Sequence, residues 1–144
     1  MFQNILVPTD GSELSLRAVR GAVELAARLG ARIVGLTVVE PYAYASLSEY
    51  RPETIAEYEQ RADQLARDRL ASLESAAREA KVPVETSVAR SFSPFEAIIE
   101  AAQRHACDAI FMASHGRRGL SAVLLGSETQ KVLTHSTLPV MVYR

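Results

Sequence analysis

The feature that most constrains the fold is a regular alternation of short apolar runs with longer segments of helical spacing. Five runs predict β-strands, at residues 5–7, 32–39, 82–89, 108–112 and 139–143. The second run is continuous and rich in β-branched residues, which is typical of a strand buried on both faces. Because strands that alternate with helices form parallel βαβ units, we predict an open, Rossmann-like α/β fold. Its five parallel strands would follow the order 3-2-1-4-5, with helices on both faces of the sheet.

Helix boundaries follow from residues that favour helix ends. Gly30 matches the position just after a first helix, and Pro52 suits the first turn of a long helix over about residues 53–80. Ser93 and Glu96 have the spacing of a capping box at the start of the next helix. The long helix is predicted to turn one face inward, made of Ile55, Tyr58, Ala62, Leu65, Arg69, Leu73, Ala76 and Ala80.

The amino-acid composition limits the classes of protein to which the chain can belong. The chain has 144 residues, 48% of them hydrophobic, which is enough for one compact domain over residues 1–144. A formal net charge of −1 gives no reason to expect nucleic acid as a partner. No apolar run approaches the roughly 20 residues of a membrane span, so we predict no membrane segment and a cytoplasmic protein. The one cysteine, Cys107, lies between a predicted helix and an apolar strand, which favours a buried, inert thiol.

Two polar segments meet at one place in the predicted sheet. The strand order puts a topological switch point between the first and fourth strands, where open α/β sheets bind ligands. Pro8, Thr9 and Asp10 follow the first apolar run, while Met112 and Ala113 end the fourth. This convergence predicts a ligand crevice between the two strand ends.

A glycine-rich loop follows the fourth strand and precedes the last predicted helix, which runs from Ser127 to about residue 135. Gly116, Gly119 and Gly126 lie within eleven residues of one another. Glycine lets backbone N–H groups approach a ligand, and a helix N-terminus attracts anions. The spacing matches neither the dinucleotide motif GxGxxG nor a P-loop. The loop therefore predicts a site for a phosphorylated ligand, and we expect a nucleotide.

Ser127 has two interpretations. It could be the N-cap of the last helix, with Gln130 at position N3. Alternatively, its hydroxyl and N–H, with those of Glu128 and Thr129, could meet the terminal phosphates of a nucleotide. Gly126 directly before it favours the second interpretation, because a cap does not need close backbone approach from the preceding residue.

Other polar residues of the crevice also leave alternatives open. Asp10 could brace its own turn or contact the nucleoside end of the ligand, and we favour the nucleoside because a carboxylate repels phosphates. Arg117 and Arg118 could neutralise phosphate charge or remain solvated. His115 has no adjacent carboxylate or histidine to orient it for acid–base catalysis. The three histidines and one cysteine form no metal-ligand pattern.

The sequence resembles the universal stress protein family over its whole length. Residues 5–12 are similar to the family's first strand and turn, residues 36–39 to its second strand, and residues 114–127 and 139–142 to its C-terminal third. The ATP-binding branch carries the motif Gly-x2-Gly-x9-Gly-Ser/Thr. This chain has its second and third parts as Gly116, Gly126 and Ser127, with Ala113 in place of the first glycine. The resemblance implies an adenine nucleotide alpha hydrolase-like form of the predicted fold.

The resemblance also implies the ligand and its surroundings. The ligand would be ATP or another adenine nucleotide, with Mg²⁺ as a companion. Adenine and ribose would be surrounded by Pro8, Thr9, Asp10 and Val38. The ribose and phosphates would be surrounded by Met112, Ala113, Gly116, Gly126, Ser127, Glu128 and Thr129. Arg117 is placed near the phosphates on its charge alone. The added methyl group of Ala113 is harmless if its φ is negative and obstructive if φ is positive or the backbone touches the ligand.

Three functions are consistent with these residues. The first is an ATP-binding module in stress response or signalling, and the resemblance favours it. The second is a slow ATP hydrolase, for which only His115 and Glu128 could position water. The third is a nucleotide-independent protein that binds partners of unspecified identity. The family tends to dimerise through its last strand, so we expect a homodimer formed by the apolar edge at residues 140–143.

Overall fold

Five parallel strands form one sheet. The structure, a computed structural model, describes residues 1–42, 53–117 and 124–144. The strands are β1 (Asn4–Pro8), β2 (Arg32–Val39), β3 (Val84–Arg90), β4 (Ala109–Ala113) and β5 (Val140–Tyr143). Their order is β3-β2-β1-β4-β5, and every neighbouring pair is parallel. The predicted strand order is therefore confirmed, and the switch point lies between β1 and β4.

Helices cover both faces of the sheet. They are α1 (Glu13–Leu29), α2 (Ile55–Glu79), α3 (Pro94–Arg104) and α4 (Ser127–His135). The hydrophobic cluster on one face joins the sheet to α1 and α2, and the cluster on the other face joins it to α3 and α4. In β2, Ile33 packs in the first cluster and Val34 in the second, so this strand is buried on both faces as predicted. None of the described helices is long and apolar enough to cross a bilayer.

The starts of α1 and α2 are capped by their own side chains. Ser12 accepts a hydrogen bond from the Ser15 N–H, and α1 ends at Gly30, which has a left-handed φ of 67° as predicted. Thr54 and Glu57 form a reciprocal capping box that starts α2. The prediction that Pro52 occupies the first turn is wrong, because the helix begins after Thr54. Pro52 lies outside the described residues.

The start of α3 differs from its predicted capping box. Ser93 makes no side-chain capping bond, and its N–H donates to the Ser91 hydroxyl instead. The Phe95 N–H in the first turn donates to the carboxylate of Glu128, at 2.9 Å. A side chain 33 residues away thus supplies the oxygen that the local sequence was expected to supply.

The buried face of α2 also differs from the predicted face. Its buried residues are Ala62, Ala66, Leu70, Leu73 and Ala77. Only two of them belong to the predicted set, and Ile55 is 58% exposed. In the first half of α2, Tyr58, Leu65 and Arg69 of the predicted face border a cavity rather than the core. Because its first half borders the cavity, α2 contributes directly to the candidate site.

Candidate functional site

A cavity of about 730 Å³ lies at the carboxyl ends of β1, β2 and β4, within the size range of small-molecule sites. Helices α2, α3 and α4 supply its walls. The structure brings all twelve predicted site residues to this cavity: Pro8, Thr9, Asp10, Val38, Met112, Ala113, Gly116, Arg117, Gly126, Ser127, Glu128 and Thr129. Arg118 and Gly119 of the predicted loop lie outside the described residues.

The turn after β1 is held by a buried network of hydroxyl groups. Thr9 is 4% exposed, and its Oγ1 accepts from the Ser15 hydroxyl at 2.7 Å and from the Gly11 N–H at 3.2 Å. Its own N–H donates to the carbonyl of Leu36 in β2. Gly11 has a φ of +76°, a conformation that glycine adopts without strain. The side chain of Thr9 therefore fixes the shape of the turn that borders the cavity.

Asp10 joins the two loops that face each other across the switch point. One carboxylate oxygen accepts from the Ser12 N–H at 2.9 Å, and the other accepts from the Arg117 N–H at 2.8 Å. The Arg117 Nε donates to the backbone carbonyl of Asp10 at 3.0 Å. Burial by itself would raise the pKa of Asp10, but the hydrogen bonds from Ser12 and Arg117 and the charge of Arg117 hold it below its usual value. Asp10 thus braces its turn and stays ionised.

A Cβ at Gly116 or at Gly126 would crowd the residues that face it across the loops. A Cβ at Gly116 would overlap the Asp10 carboxylate. A Cβ at Gly126 would lie 3.0 Å from the Cα of His115, and the Gly126 N–H donates to the Ser114 carbonyl at 2.8 Å. The close backbone approach that the sequence predicted at Gly126 is therefore made to Ser114 and His115 of the preceding loop.

The first turn of α4 opens on the cavity. Gly126 is the N-cap and Ser127 is the first helical residue, so the interpretation of Ser127 as the N-cap is wrong. No described residue supplies a side-chain cap to this helix. The N–H groups of Ser127, Glu128 and Thr129 lie in the first turn, where α-helical geometry provides no acceptor. This end of the helix can therefore receive an anion.

The side chains that follow Ser127 are engaged elsewhere. The Thr129 hydroxyl donates to the Ala113 carbonyl at the end of β4, at 3.0 Å. The Glu128 carboxylate accepts from the Phe95 N–H of α3, and its other oxygen lies 3.5 Å from the Lys131 ammonium. The side chains of Glu128 and Thr129 thus dock α4 onto α3 and β4.

Ala113, at the position of the first motif glycine, fits the backbone that the structure shows. It is the last residue of β4 and pairs with Tyr143, and it is not among the residues with positive φ. It is 8% exposed and belongs to the hydrophobic cluster shared with Ala18 and Val19 of α1. Its methyl group packs in the core, so the backbone conformation at this position does not require glycine.

Sequence reasoning missed the contribution of α2 to the site. Tyr58, Arg61, Leu65 and Arg69 line the cavity. The Arg69 Nη1 donates to the Val38 carbonyl of β2 at 3.2 Å. Burial, and secondarily the charge of Arg117, lower the pKa of Arg69. The available signal was an arginine within the otherwise apolar predicted face of the helix, which is unusual for a core position.

Two reactive residue types are accounted for by their surroundings. His115 also borders the cavity, and its Nδ1 lies 3.2 Å from the hydroxyl of the buried Ser114. Cys107 is buried as predicted, and burial raises its thiol pKa to about 11. Within the described residues, no group of three or more His, Cys, Asp or Glu side chains could hold a metal ion.

The strand order, the braced turn and the uncapped helix define an α/β protein with an anion-receptive crevice at its switch point. The family model described as "Universal stress protein family" matches residues 1–144. The chain belongs to this family.

Individual relatives agree with this assignment. Universal stress protein MJ0531 of Methanocaldococcus jannaschii is 30% identical over 145 residues, which cover 100% of this chain and 83% of the relative. The solved structure of MJ0577 from the same organism has a TM-score of 0.83 at 26% identity, covering 99% of this chain and 96% of the other.

Two further solved structures share the fold and are described with their ligands. A universal stress protein in complex with cAMP has a TM-score of 0.71 at 24% identity, covering 99% of this chain and 97% of the other. A universal stress protein from Archaeoglobus fulgidus in complex with dAMP has a TM-score of 0.72 at 19% identity, covering 99% and 98% of the two chains.

Proposed function

We propose that this protein is an ATP-binding module that acts in stress response or signalling. The observation that carries the proposal is the difference between helix starts. A side-chain oxygen accepts a first-turn N–H in α1, α2 and α3, supplied by Ser12, Thr54 and Glu128. No described residue does so for α4, whose start borders the cavity. A phosphate group there would receive the N–H groups that no described residue caps.

The remaining site residues would take the parts that their positions allow. The phosphates would lie at Gly126, Ser127 and the backbone of Glu128 and Thr129, with Arg117 near enough to offset their charge. The ribose and base would lie over the ends of β1 and β2. Pro8, Thr9, Asp10 and Val38 would border these positions, and Met112, Ala113 and Gly116 would border the ribose and the phosphates. Universal stress proteins in complex with cAMP and dAMP support an adenine nucleotide as the ligand.

Mg²⁺ would enter with the nucleotide. Both carboxylate oxygens of Asp10 already accept backbone N–H bonds, and no acidic cluster occurs among the described residues. Mg²⁺ in nucleotide sites keeps several waters and binds substrate phosphates with few protein ligands. The protein would therefore hold the ion mainly through the phosphates.

Binding rather than hydrolysis is the function that we favour. Glu128 and His115 are the two residues that sequence analysis considered for positioning water. The Glu128 carboxylate caps α3, and the His115 Nδ1 contacts Ser114. Protonating the Glu128 carboxylate would weaken the hydrogen bond that it accepts from the Phe95 N–H. We therefore expect at most slow ATP turnover.

Two measurements test the proposal. Mass spectrometry of gently purified protein identifies any nucleotide that co-purifies, and calorimetry measures the affinity for ATP and AMP. We expect ATP to bind with a Kd well below about 1 mM, equivalent to roughly −4 kcal/mol. Absence of both a co-purified nucleotide and measurable affinity would contradict the proposal. Phosphate release at a rate above that of a Glu128→Gln variant would favour the hydrolase.

We also propose a homodimer formed through β5. This strand is an edge of the sheet, and its apolar residues are only partly buried. Uncovered apolar edges invite pairing with another strand. Sedimentation should show a dimer that Val142→Lys converts to a monomer. A monomeric wild-type protein at micromolar concentration would contradict this arrangement.

A further inference from the structure

Apolar side chains line the cavity beside the carboxyl ends of β2 and β3. Val38 and Val39 form the carboxyl end of β2. Pro94 and Ile98 lie in the first half of α3, and Phe92 lies in the turn between β3 and α3. The base is the least polar part of a nucleotide, so this end of the cavity suits the base better than the phosphates.

The turn that carries Phe92 is fixed by hydrogen bonds on both sides of this residue. The Ser91 N–H donates to the Val39 carbonyl at 3.0 Å, which joins the turn to the end of β2. The Ser93 N–H donates to the Ser91 hydroxyl at 3.0 Å, and that hydroxyl donates to the Ser93 carbonyl at 3.2 Å. Such serine bonds hold the backbone of a turn in one conformation. Phe92 is therefore held beside the end of β2.

The side chain of Phe92 is exposed although it borders the cavity. The residue is 64% exposed, and its ring contacts no other ring or cation among the described residues. A single exposed apolar residue is common on protein surfaces. This one, however, leaves the surface of an aromatic ring uncovered at the place where a base would lie.

Tyr58 is the other phenylalanine or tyrosine that lines the described part of the cavity, and its ring is already engaged. The ring of Tyr42 packs edge-on against it, with 5.4 Å between the centroids. The Arg61 guanidinium carbon lies 5.3 Å from the centroid of the Tyr58 ring, which is a cation–π distance. Phe92 is thus the better candidate for a new aromatic contact.

The strand order places Phe92 within reach of the base. The phosphate position proposed above is the start of α4, beside β4, and the base would lie over the ends of β1 and β2. Strand β3 is the neighbour of β2 on the side away from β4. Neighbouring strands are about 4.8 Å apart, so a base over β2 lies roughly one such spacing from the segment that carries Phe92.

We propose that Phe92 stacks on the base of the bound nucleotide and contributes to its affinity. This inference rests on the proposed nucleotide-binding function and adds a positioning residue to the base end of that site. Stacking between a base and an aromatic ring needs no hydrogen bond, and it removes apolar surface of both partners from water.

The first test compares ATP affinities measured by calorimetry. Phe92→Ala should weaken ATP binding by about fivefold or more, the lower end of what base–aromatic stacking contributes. Phe92→Tyr keeps an aromatic ring, so its affinity should stay within about twofold of the wild type. Leu29→Ala is the matched control, because Leu29 is an exposed apolar residue at the end of α1, on the opposite edge of the sheet. It should bind ATP as the wild type does.

The second test detects the contact itself. The chain contains no tryptophan, so Phe92→Trp introduces a single fluorescent indole at the proposed position. A base stacked on an indole quenches its emission, and we expect saturable quenching by ATP with the dissociation constant that calorimetry gives. Leu29→Trp places the indole away from the cavity, and its emission should not change.

Each outcome decides the inference. Wild-type affinity in Phe92→Ala, an equal loss in Phe92→Tyr and Phe92→Ala, or unchanged emission of Phe92→Trp with ATP bound would overturn it and leave the proposed function intact. If the wild type binds no ATP, the proposed function fails as well. Urea unfolding shows whether Phe92→Ala folds as the wild type does, and if it does not, the fluorescence of Phe92→Trp decides.

Discussion

Helices α1 and α4 follow the two strands that meet at the switch point and lie on opposite faces of the sheet, yet their first turns are capped differently. Both helices follow a strand of the central pair through a glycine-containing turn. At α1, Ser12 accepts the Ser15 N–H, and Glu13 adds a negative charge to the first turn. At α4, Gly126 has no side chain with which to cap the helix. The comparison teaches that a side chain caps one helix start, whereas no described residue caps the other, which is where we propose that the ligand binds.

A negative charge at the start of α4 should have the largest effect on ATP binding. Ser127→Asp places a carboxylate where we propose the phosphates, so we expect ATP affinity to fall at least about tenfold, equivalent to roughly 1.4 kcal/mol. The same charge interacts favourably with the helix dipole, so stability should stay equal or rise by up to about 1 kcal/mol. Calorimetry and urea unfolding measure the two quantities.

Thr54→Asp is the control for this charge. It adds a carboxylate at the start of α2, and Thr54 does not border the cavity. ATP affinity should remain that of the wild type. If Ser127→Asp also retained wild-type affinity, the phosphate position would be wrong.

Removing hydroxyl groups should reveal which helix start depends on its own side chain. Ser12→Ala should lower the free energy of unfolding by about 1 kcal/mol, because it removes the N-cap of α1. Ser127→Ala removes no cap, so its effect should stay within about 0.5 kcal/mol. Urea unfolding of the two variants gives the comparison directly. Equal losses in the two variants would show that Ser127 contributes to the start of α4 as Ser12 does to α1.

Acid should weaken the brace between the two loops. The pKa of Asp10 in the folded protein lies below its ordinary value of 3.8, so its contribution to stability is present above that pH and is lost as pH falls further. Asp10→Asn removes this titration. The stability difference between wild type and variant should therefore shrink as pH falls below about 4. A difference that stays constant in unfolding experiments from pH 5 to pH 2.5 would contradict the role of the ionised carboxylate.

The smallest effect on binding is expected at the departure from the family motif. Ala113→Gly restores the first motif glycine, but the methyl group that it removes packs in the core. We expect ATP affinity to change by less than about twofold, or roughly 0.4 kcal/mol. Stability should fall by about 1 kcal/mol, because glycine weakens a strand. A large gain in affinity would show that the methyl group obstructs the ligand.

Much of the fold followed from local patterns. The continuous apolar run of β2 predicted its bounds and its burial on both faces, and Gly30 marked the end of α1. The twelve predicted site residues meet at one cavity because parallel strands deliver their carboxyl ends to one edge of the sheet. The face of α2 was mispredicted because part of this helix borders the cavity, where apolar periodicity no longer distinguishes core from wall.

The sequence by itself determined the element order, because periodicity and glycine spacing act over a few residues. The strand order and the convergence of two loops then followed from the connection rules of parallel βαβ units. Only the tertiary structure decided how the polar side chains are used. Glu128 caps α3 over 33 positions, Arg69 reaches Val38 over 31, and Asp10 holds Arg117 over 107. Such hydrogen bonds need donor and acceptor within about 3 Å, a precision that depends on how distant elements pack.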